Sequence, residues 1–398
     1  MPITMHERVD GAARSAGDTS QPLSAGDFEA YLSEVREIVL AEIVRMMPRG
    51  RHTGRLYDLM LEYPLRHGKS LRPALCLAAC RAFGGTLSEG IRTAAVIELY
   101  HNAFLIHDDV EDGSTHRRSE ETLHQKYGVP IAINVGDGIL ALSLQPLLDN
   151  TRLLGLGRAL RILETVAAMS RESAEGQMLE LDWAASGSEE PGAPDYVRMV
   201  YKKTCWYSFI APLETGAIAA GIDAMRVFQL RKFATVLGIA FQIVDDVLNV
   251  DASAHEYGKE PYGDLWEGKR TLLMIHALER ATPTERAHAV EVLAKQRPKG
   301  TELERLDAVL RECGLGDQQI ATIRDALHST ERYRTAADVE FLQRLIRRYD
   351  GAGYARAYAE RYCIAAQRRF VLLCSMMPSS VHRDFIASVV DFVVSRRK

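Results

Sequence analysis

The sequence predicts an all-α fold, and three observations carry that expectation. Apolar residues recur at three-to-four spacing through long segments that run almost to the C-terminus. Short turns divide these segments, at Gly84-Gly85, Gly155 to Gly157, Pro298 to Gly300, Gly314 to Gly316 and Asp350 to Gly353. Alternation with period two is absent, so the expected molecule has about a dozen helices and no parallel sheet.

Taken in order, the chain opens with Glu7, Asp10 and Asp18 among Ser, Gly and Thr, with no apolar run behind a basic start. Residues 1–23 therefore read as a disordered tail, and residues 24–398 as a single large helical domain. Ser24 is placed to cap the first helix, with Asp27 three residues later. Phe28, Leu32, Val35, Val39, Ile43 and Met46 follow at helical spacing until Pro48 closes the segment. Residues 184–194, rich in Ala, Ser, Gly and Pro, read as a loop. Thr282-Pro283-Thr284-Glu285 has the order of a cap, a first helical position and a third-position carboxylate. Pro378-Ser379 marks the break before the last helix, and no repeat of fixed period is present.

Composition narrows the function classes. With 47% hydrophobic and 26% charged residues, the chain of 398 residues can bury a large core. Its net charge of −4 gives no global excess of positive charge for gripping nucleic acid. The six cysteines form no CxxC pair and most lie in apolar runs, which points to a reducing, cytoplasmic setting. No run of about 18 apolar residues is free of charge, because the stretch from Ala234 stops at Asp245, so no transmembrane segment is expected.

The chemistry concentrates in two acidic clusters. In Leu105-Ile106-His107-Asp108-Asp109-Val110-Glu111-Asp112 an apolar helical stretch ends in acids, and Asp108 and Asp112 stand one turn apart on a helix. More than a hundred residues later, Phe241-Gln242-Ile243-Val244-Asp245-Asp246-Val247-Leu248-Asn249 repeats the design. A single such cluster is commonly just a solvated helix face, but two behind buried-looking helices could face each other across a cavity. Mg²⁺ suits that arrangement, since it takes one or two carboxylates and completes its sphere with water and phosphate oxygens. Cations accompany both clusters, Arg117 and Arg118 after the first and Lys259, Lys269 and Arg270 after the second, as a metal-bridged diphosphate requires.

Other groups fit the same chemistry, each beside a plainer reading. Lys69 and Arg72 are three apart where a helix should start, an anion-binding position or simply solvated cations. His101 is two turns before Asp108 and could meet a phosphate or be an ordinary core histidine. Lys203-Thr204 follows a mostly apolar stretch, an unusual place for a lysine unless it enters a polar cavity or snorkels to the surface. No GxxxxGK[ST] or strand-borne GxGxxG occurs, so nucleotide hydrolysis has no support.

In combination these residues resemble the trans-type isoprenyl diphosphate synthases of the polyprenyl synthetase family, from about Leu61 to the C-terminus. The resemblance rests on Asp108-Asp109-Val110-Glu111-Asp112 with Arg117-Arg118. It continues through Gly68-Lys69, Arg72-Pro73, His101, Thr122-Leu123-His124, Tyr127-Gly128, Gly136-Asp137, Gly176-Gln177, Lys203-Thr204 and Phe241-Gln242, and ends in the block Gly258-Lys259, Gly263-Asp264-Leu265 and Glu267 to Thr271. Three positions depart from the family pattern: Asn249 replaces a common aspartate, Ser119 the glycine behind the arginine pair, and Glu180 an aspartate.

The resemblance implies one helical bundle of the isoprenoid synthase type with a central cavity, a homodimer, and transfer of an allylic group from its diphosphate to isopentenyl diphosphate. Asp108, Asp109, Asp112, Asp245 and Asp246 would hold Mg²⁺ on the allylic diphosphate, with Asp108, Asp112 and Asp245 as direct ligands. Arg117, Lys203, Lys259 and Lys269 would compensate its charge. Lys69, Arg72, His101 and Arg118 would bind isopentenyl diphosphate, and Thr204 and Gln242 would turn oxygen dipoles toward the allylic cation. The released diphosphate would accept the final proton. Phe104, one turn before Asp108, should cap the apolar pocket, which points to a short or medium product, foremost geranylgeranyl diphosphate (C20) and next a farnesyl or C25 diphosphate. Two rival readings stay open, a class I terpene cyclase of the same fold and a regulatory partner of an active synthase. The basic set Lys69, Arg72 and Arg118 argues against the cyclase, and the intact aspartates argue against the regulator.

Overall fold

Helix starts fall where the caps in the sequence put them. A computed structural model describes residues 22–48, 54–66, 68–186, 190–250, 262–297, 307–328 and 333–395. Helix α1 (Ala25–Met46) is capped by Ser24, whose Oγ accepts the Asp27 backbone N–H at 3.2 Å. Helices α2 (Gly54–Leu65) and α3 (Leu71–Ala82) precede α4 (Leu87–Glu111), which opens with a reciprocal capping box between Thr86 and Glu89. A short hairpin, β1 (His116–Arg117) paired antiparallel with β2 (Glu120–Glu121), follows the first acidic cluster. Next come α5 (Leu123–Tyr127), α6 (Val129–Leu142), α7 (Leu144–Leu154), α8 (Leu156–Ser186) and α9 (Ala193–Val200). A π-helix, Tyr201–Ile210, leads into α10 (Ala211–Ala219) and the long α11 (Ala224–Val250). The remainder includes α12 (Gly263–Glu267), α13 (Leu272–Arg280), α14 (Pro283–Ala294), α15 (Asp317–His328), α16 (Ala336–Arg348), α17 (Gly351–Cys374) and α18 (Val381–Ser395).

The fold is all-α, and the hairpin is the only strand pairing beyond a single Gln296–Tyr333 bridge among the described residues. Thr282 forms the expected capping box with Glu285, and the chain breaks between α17 and α18 at Pro378-Ser379. Two boundaries differ from the sequence reading. Helix α8 runs through 184–186, where Ala184 and Ala185 are strong helix formers, and α17 begins at Gly351, inside the expected turn. Of the expected tail, residues 1–21 lie outside the described residues, as do Lys259 and Pro298 to Gly300.

Helices α4 and α11 form the centre, and each carries one acidic cluster at its C-terminal end. Helix α4 is buried almost all round from Thr93 to Ala103, enclosed by α1, α3, α6, α7 and α10. Helix α11 lies between α17 and the π-helix. Close approaches need small residues: a Cβ on Gly216 would sit 2.0 Å from the Cys76 carbonyl oxygen, so α10 can meet α3 only through a glycine. By length and composition two stretches, Val129–Leu154 and Ala224–Val250, could cross a bilayer. The second is a core helix, and the first is two helices.

Candidate active site

The end of α4 sorts its acids by direction. Asp108 and Asp112 face a polar cavity, whereas Asp109 is fully buried behind them. Tyr63 Oη donates to Asp109 Oδ2 at 2.6 Å, and Arg117 Nε donates to Oδ1 at 2.9 Å. Burial pushes the Asp109 carboxyl up, against the pull of Arg117. Asp109 thus departs from the metal-holding role expected of it: neighbouring residues on a helix point about 100° apart, and this one turns inward to anchor the arginine. Arg117 then reaches Asp108 at 3.6 Å.

The hairpin that delivers the arginine pair is conformationally demanding. Arg118 and Ser119 both take left-handed backbone, at φ 55° and 65°. Ser119 does so where glycine would adopt it freely, at a cost of about 1 kcal/mol. Arg118 Nη1 donates to the Tyr63 and Arg66 carbonyls at 3.2 and 3.3 Å, and its guanidinium lies where a Cβ on Gly68 would clash at 2.7 Å.

Opposite stands the end of α11. Asp245, Asp246 and Gln242 line the same cavity, of about 320 Å³, as Asp108, Arg117 and Lys203. Thr204 Oγ1 donates to Gln242 Oε1 at 2.8 Å, Gln242 Nε2 to Asp246 Oδ1 at 2.7 Å, and Tyr196 Oη to Asp246 Oδ2 at 2.7 Å. Burial, then the nearby Asp264, pushes the Asp246 carboxyl well above the ordinary range. Asp264 also lines the cavity. Sequence reading noted it within Gly263-Asp264-Leu265 but gave it no role. Asn249 Oδ1 accepts the Asp264 backbone N–H at 3.1 Å, so that residue fixes the segment carrying Asp264.

Between the rims lie two half-buried lysines. The π-helix brings Lys203 inward, its Nζ 3.5 Å from Asp108 and bonded to Glu180. Burial opposes its charge, but Glu180 and Asp108 outweigh that and hold it protonated. The inward course depends on Gly176, where a Cβ would lie 2.2 Å from the Lys203 backbone nitrogen. Lys269 Nζ sits 3.2 Å from Asp112, whose carboxyl burial raises well above its usual value. π-Helical turns of this kind re-aim side chains at functional sites.

A third wall is basic. Arg72 Nη2 donates to Ser208 Oγ at 2.8 Å and Nη1 lies 3.2 Å from His101 Nε2. Burial, then Arg72, pulls the His101 pKa well below its ordinary value and leaves the ring neutral, with Nδ1 buried and without a protein partner. Arg118 shares this wall, and Arg270 lines the cavity with its pKa drawn down by burial to about 10. Lys69 does not line it. The helix starts only at Leu71, after Ser70 in left-handed backbone, and Lys69 Nζ instead lies 5.0 Å over the Phe392 ring of α18.

Below Asp108 the cavity continues into an apolar one of about 370 Å³, walled by Phe104, Leu105, Leu140, Ala174 and Tyr207 among others. Phe104 packs edge-on against Tyr207 at 5.7 Å and Tyr100 at 6.0 Å. Tyr207, unremarked within Cys205-Trp206-Tyr207 in the sequence, also stacks on His101 and carries the Arg72 guanidinium 4.5 Å above its ring.

Among the described residues no three Asp, Glu, His or Cys side chains converge into a metal cage. Separated carboxylates on two rims, with half-buried lysines compensating them, suit an ion whose remaining positions are filled by phosphate oxygens and water. The donor set therefore fits Mg²⁺.

Comparison with known proteins agrees with this geometry. A family model described as polyprenyl synthetase matches residues 55–310. A short chain isoprenyl diphosphate synthase of Methanothermobacter thermautotrophicus is 30% identical over 334 residues, covering 83% of this chain and 86% of that protein. An octaprenyl diphosphate synthase of Escherichia coli is 32% identical over 249 residues, 62% of this chain and 73% of that one. The crystal structure of a polyprenyl synthase from Caulobacter crescentus, complexed with calcium and isoprenyl diphosphate, superposes with a TM-score of 0.71 at 27% identity, covering 96% of this chain and all of that one.

Proposed function

This chain belongs to the polyprenyl synthetase family of trans-prenyltransferases, and on that premise we propose that it condenses isopentenyl diphosphate with an allylic diphosphate to give a product of about 20 carbons. The carrying observation is the pair of carboxylate rims facing one cavity with Lys203 and Lys269 between them. Mg²⁺ held by Asp108, Asp112 and Asp245 would supply positive charge to the departing diphosphate as the allylic C–O bond breaks. Lys203, Lys269 and Arg117 add fixed positive charge at the same place, worth more in a buried site than in water. Arg72, Arg118 and neutral His101, whose Nδ1–H is a donor without a protein partner, receive the second diphosphate. Thr204 and Gln242, locked by their mutual hydrogen bond, set oxygen dipoles beside the cation. The apolar wall excludes water, so the isopentenyl double bond is the nucleophile at hand.

Product length follows from the aromatic pair Phe104 and Tyr207 that walls the apolar cavity, with Tyr100 packed against Phe104. Its closeness to Asp108 favours geranylgeranyl diphosphate over the longer chains made by the octaprenyl relative. Exposed Val129, Ile133, Leu144, Leu148, Leu156 and Leu160 on α6, α7 and α8 support a homodimer through that face. All six cysteines are free thiols, which supports a cytoplasmic setting. Purified protein incubated with Mg²⁺, isopentenyl diphosphate and dimethylallyl, geranyl or farnesyl diphosphate should give linear diphosphates. A cyclic hydrocarbon would indicate a terpene cyclase, and no turnover a regulatory partner.

A further inference from the structure

A second exposed apolar region, on α17, differs from the α6–α8 face in being interleaved with cations. The inner side of α17 packs Cys363, Ala366, Phe370 and Leu373 into the core. Its outer side carries Arg361, Ile364, Arg368, Val371 and Leu372 at helical spacing, with Val371 70% and Leu372 65% exposed. Phe370 meets Phe233 of α11 at 5.6 Å, which sets the C-terminal end of α17 beside the N-terminal end of α11. There Met225 and Phe228 are also exposed, and Lys232 Nζ lies 4.4 Å over the Phe228 ring.

Charge is segregated along the same two segments. Residues 361–383 contain no Asp or Glu, nor do residues 224–244, although the whole chain is net acidic. The exposed acids that flank these segments in the sequence are Glu360 and Asp223, and Asp223 is paired with Arg226. Among the described residues no carboxylate pairs with Arg361, Arg368 or Arg369. Large apolar side chains flanked by arginines, whose stems can lie flat while their heads reach outward, match the boundary between lipid headgroups and acyl chains.

We propose that this end of the α11–α17 pair is a docking surface for a bilayer carrying anionic headgroups. Charge complementarity favours that occupant over a neutral surface or a second copy of this patch, which would bring arginines together. The inference rests on the surface alone and not on the reading of the active site.

Flotation of the intact chain with phosphatidylcholine vesicles, with and without phosphatidylglycerol, tests it. Retention on the anionic vesicles only, reversed by raised salt, is expected. Arg361→Gln with Arg368→Gln should weaken partitioning about fivefold per residue. Val371→Ser with Leu372→Ser should weaken it independently, and both pairs should melt at the parent temperature. Equal binding to neutral vesicles, no binding to either, or variants that bind like the parent would overturn the proposal. So would a Leu372→Cys variant that cross-links two copies through that position in solution.

Discussion

Adjacent acids that look equivalent in the sequence have different work in the fold. Asp108 faces the cavity and Asp109 is walled in by Tyr63 and Arg117. Asp109→Ala leaves the half-buried Arg117 guanidinium with Asp108 alone at 3.6 Å and takes the acceptor from the buried Tyr63 hydroxyl, and should cost about 2–3 kcal/mol of stability. Asp108→Ala should melt near the parent temperature while losing at least about a hundredfold in elongation rate, since it removes charge only at the reacting end. Melting curves beside initial rates separate the two. The aspartates, Arg117 and Lys203 were legible as chemistry because acids and bases clustered behind apolar helices. The inward turn of Asp109 was not, since its partner Tyr63 lies 46 residues away with no motif to announce it. Spacing alone also does not aim Lys69: it lies two residues before the helix that begins at Leu71, with Ser70 in left-handed backbone between, so its side chain does not share the helical face of Arg72.

At the scale of elements, the π-helix and the caps decide where functional side chains point. Gly176→Ala would drive a methyl into the backbone of Lys203, so α8 and the π-helix must separate and Lys203 must move from Asp108. A fall in kcat of at least about tenfold is expected, with a lowered melting temperature. Lys203→Arg, which leaves the backbone approach intact, should melt like the parent. The α4 cap yields a pH dependence. The Thr86 backbone N–H donates to Glu89 at 2.8 Å and lowers the Glu89 pKa, with Arg158 adding to it. A lowered carboxyl stabilises the fold fully above its unfolded value of about 4.3 and loses that contribution as pH falls through the folded value. Acid unfolding of Glu89→Gln should therefore start from a lower stability near pH 7 and show a shallower loss below pH 4; parallel curves would remove the cap from the account. Helix caps at Ser24 and Thr282 could be read directly, being local. The π-helix could not, because inserting a residue into the helical ladder is a response to packing against α8.

Across the whole molecule, two core helices end at one cavity, and its depth below them sets what can be made. Phe104→Ala should lengthen the product by one or more five-carbon units in a chain-length assay, and an unchanged distribution would remove this ring as the floor. The all-α class was legible because periodicity survives in every long segment. That α4 and α11 oppose their acidic ends depended on contacts between residues more than a hundred apart, which spacing alone does not encode. The opposition is tested most directly by calorimetric titration of inorganic pyrophosphate into the protein with and without Mg²⁺, repeated on Asp108→Asn and Asp245→Asn. Binding that requires the metal and collapses in either variant is expected. Binding indifferent to Mg²⁺, or lost from one rim and intact in the other, would contradict a diphosphate held between both.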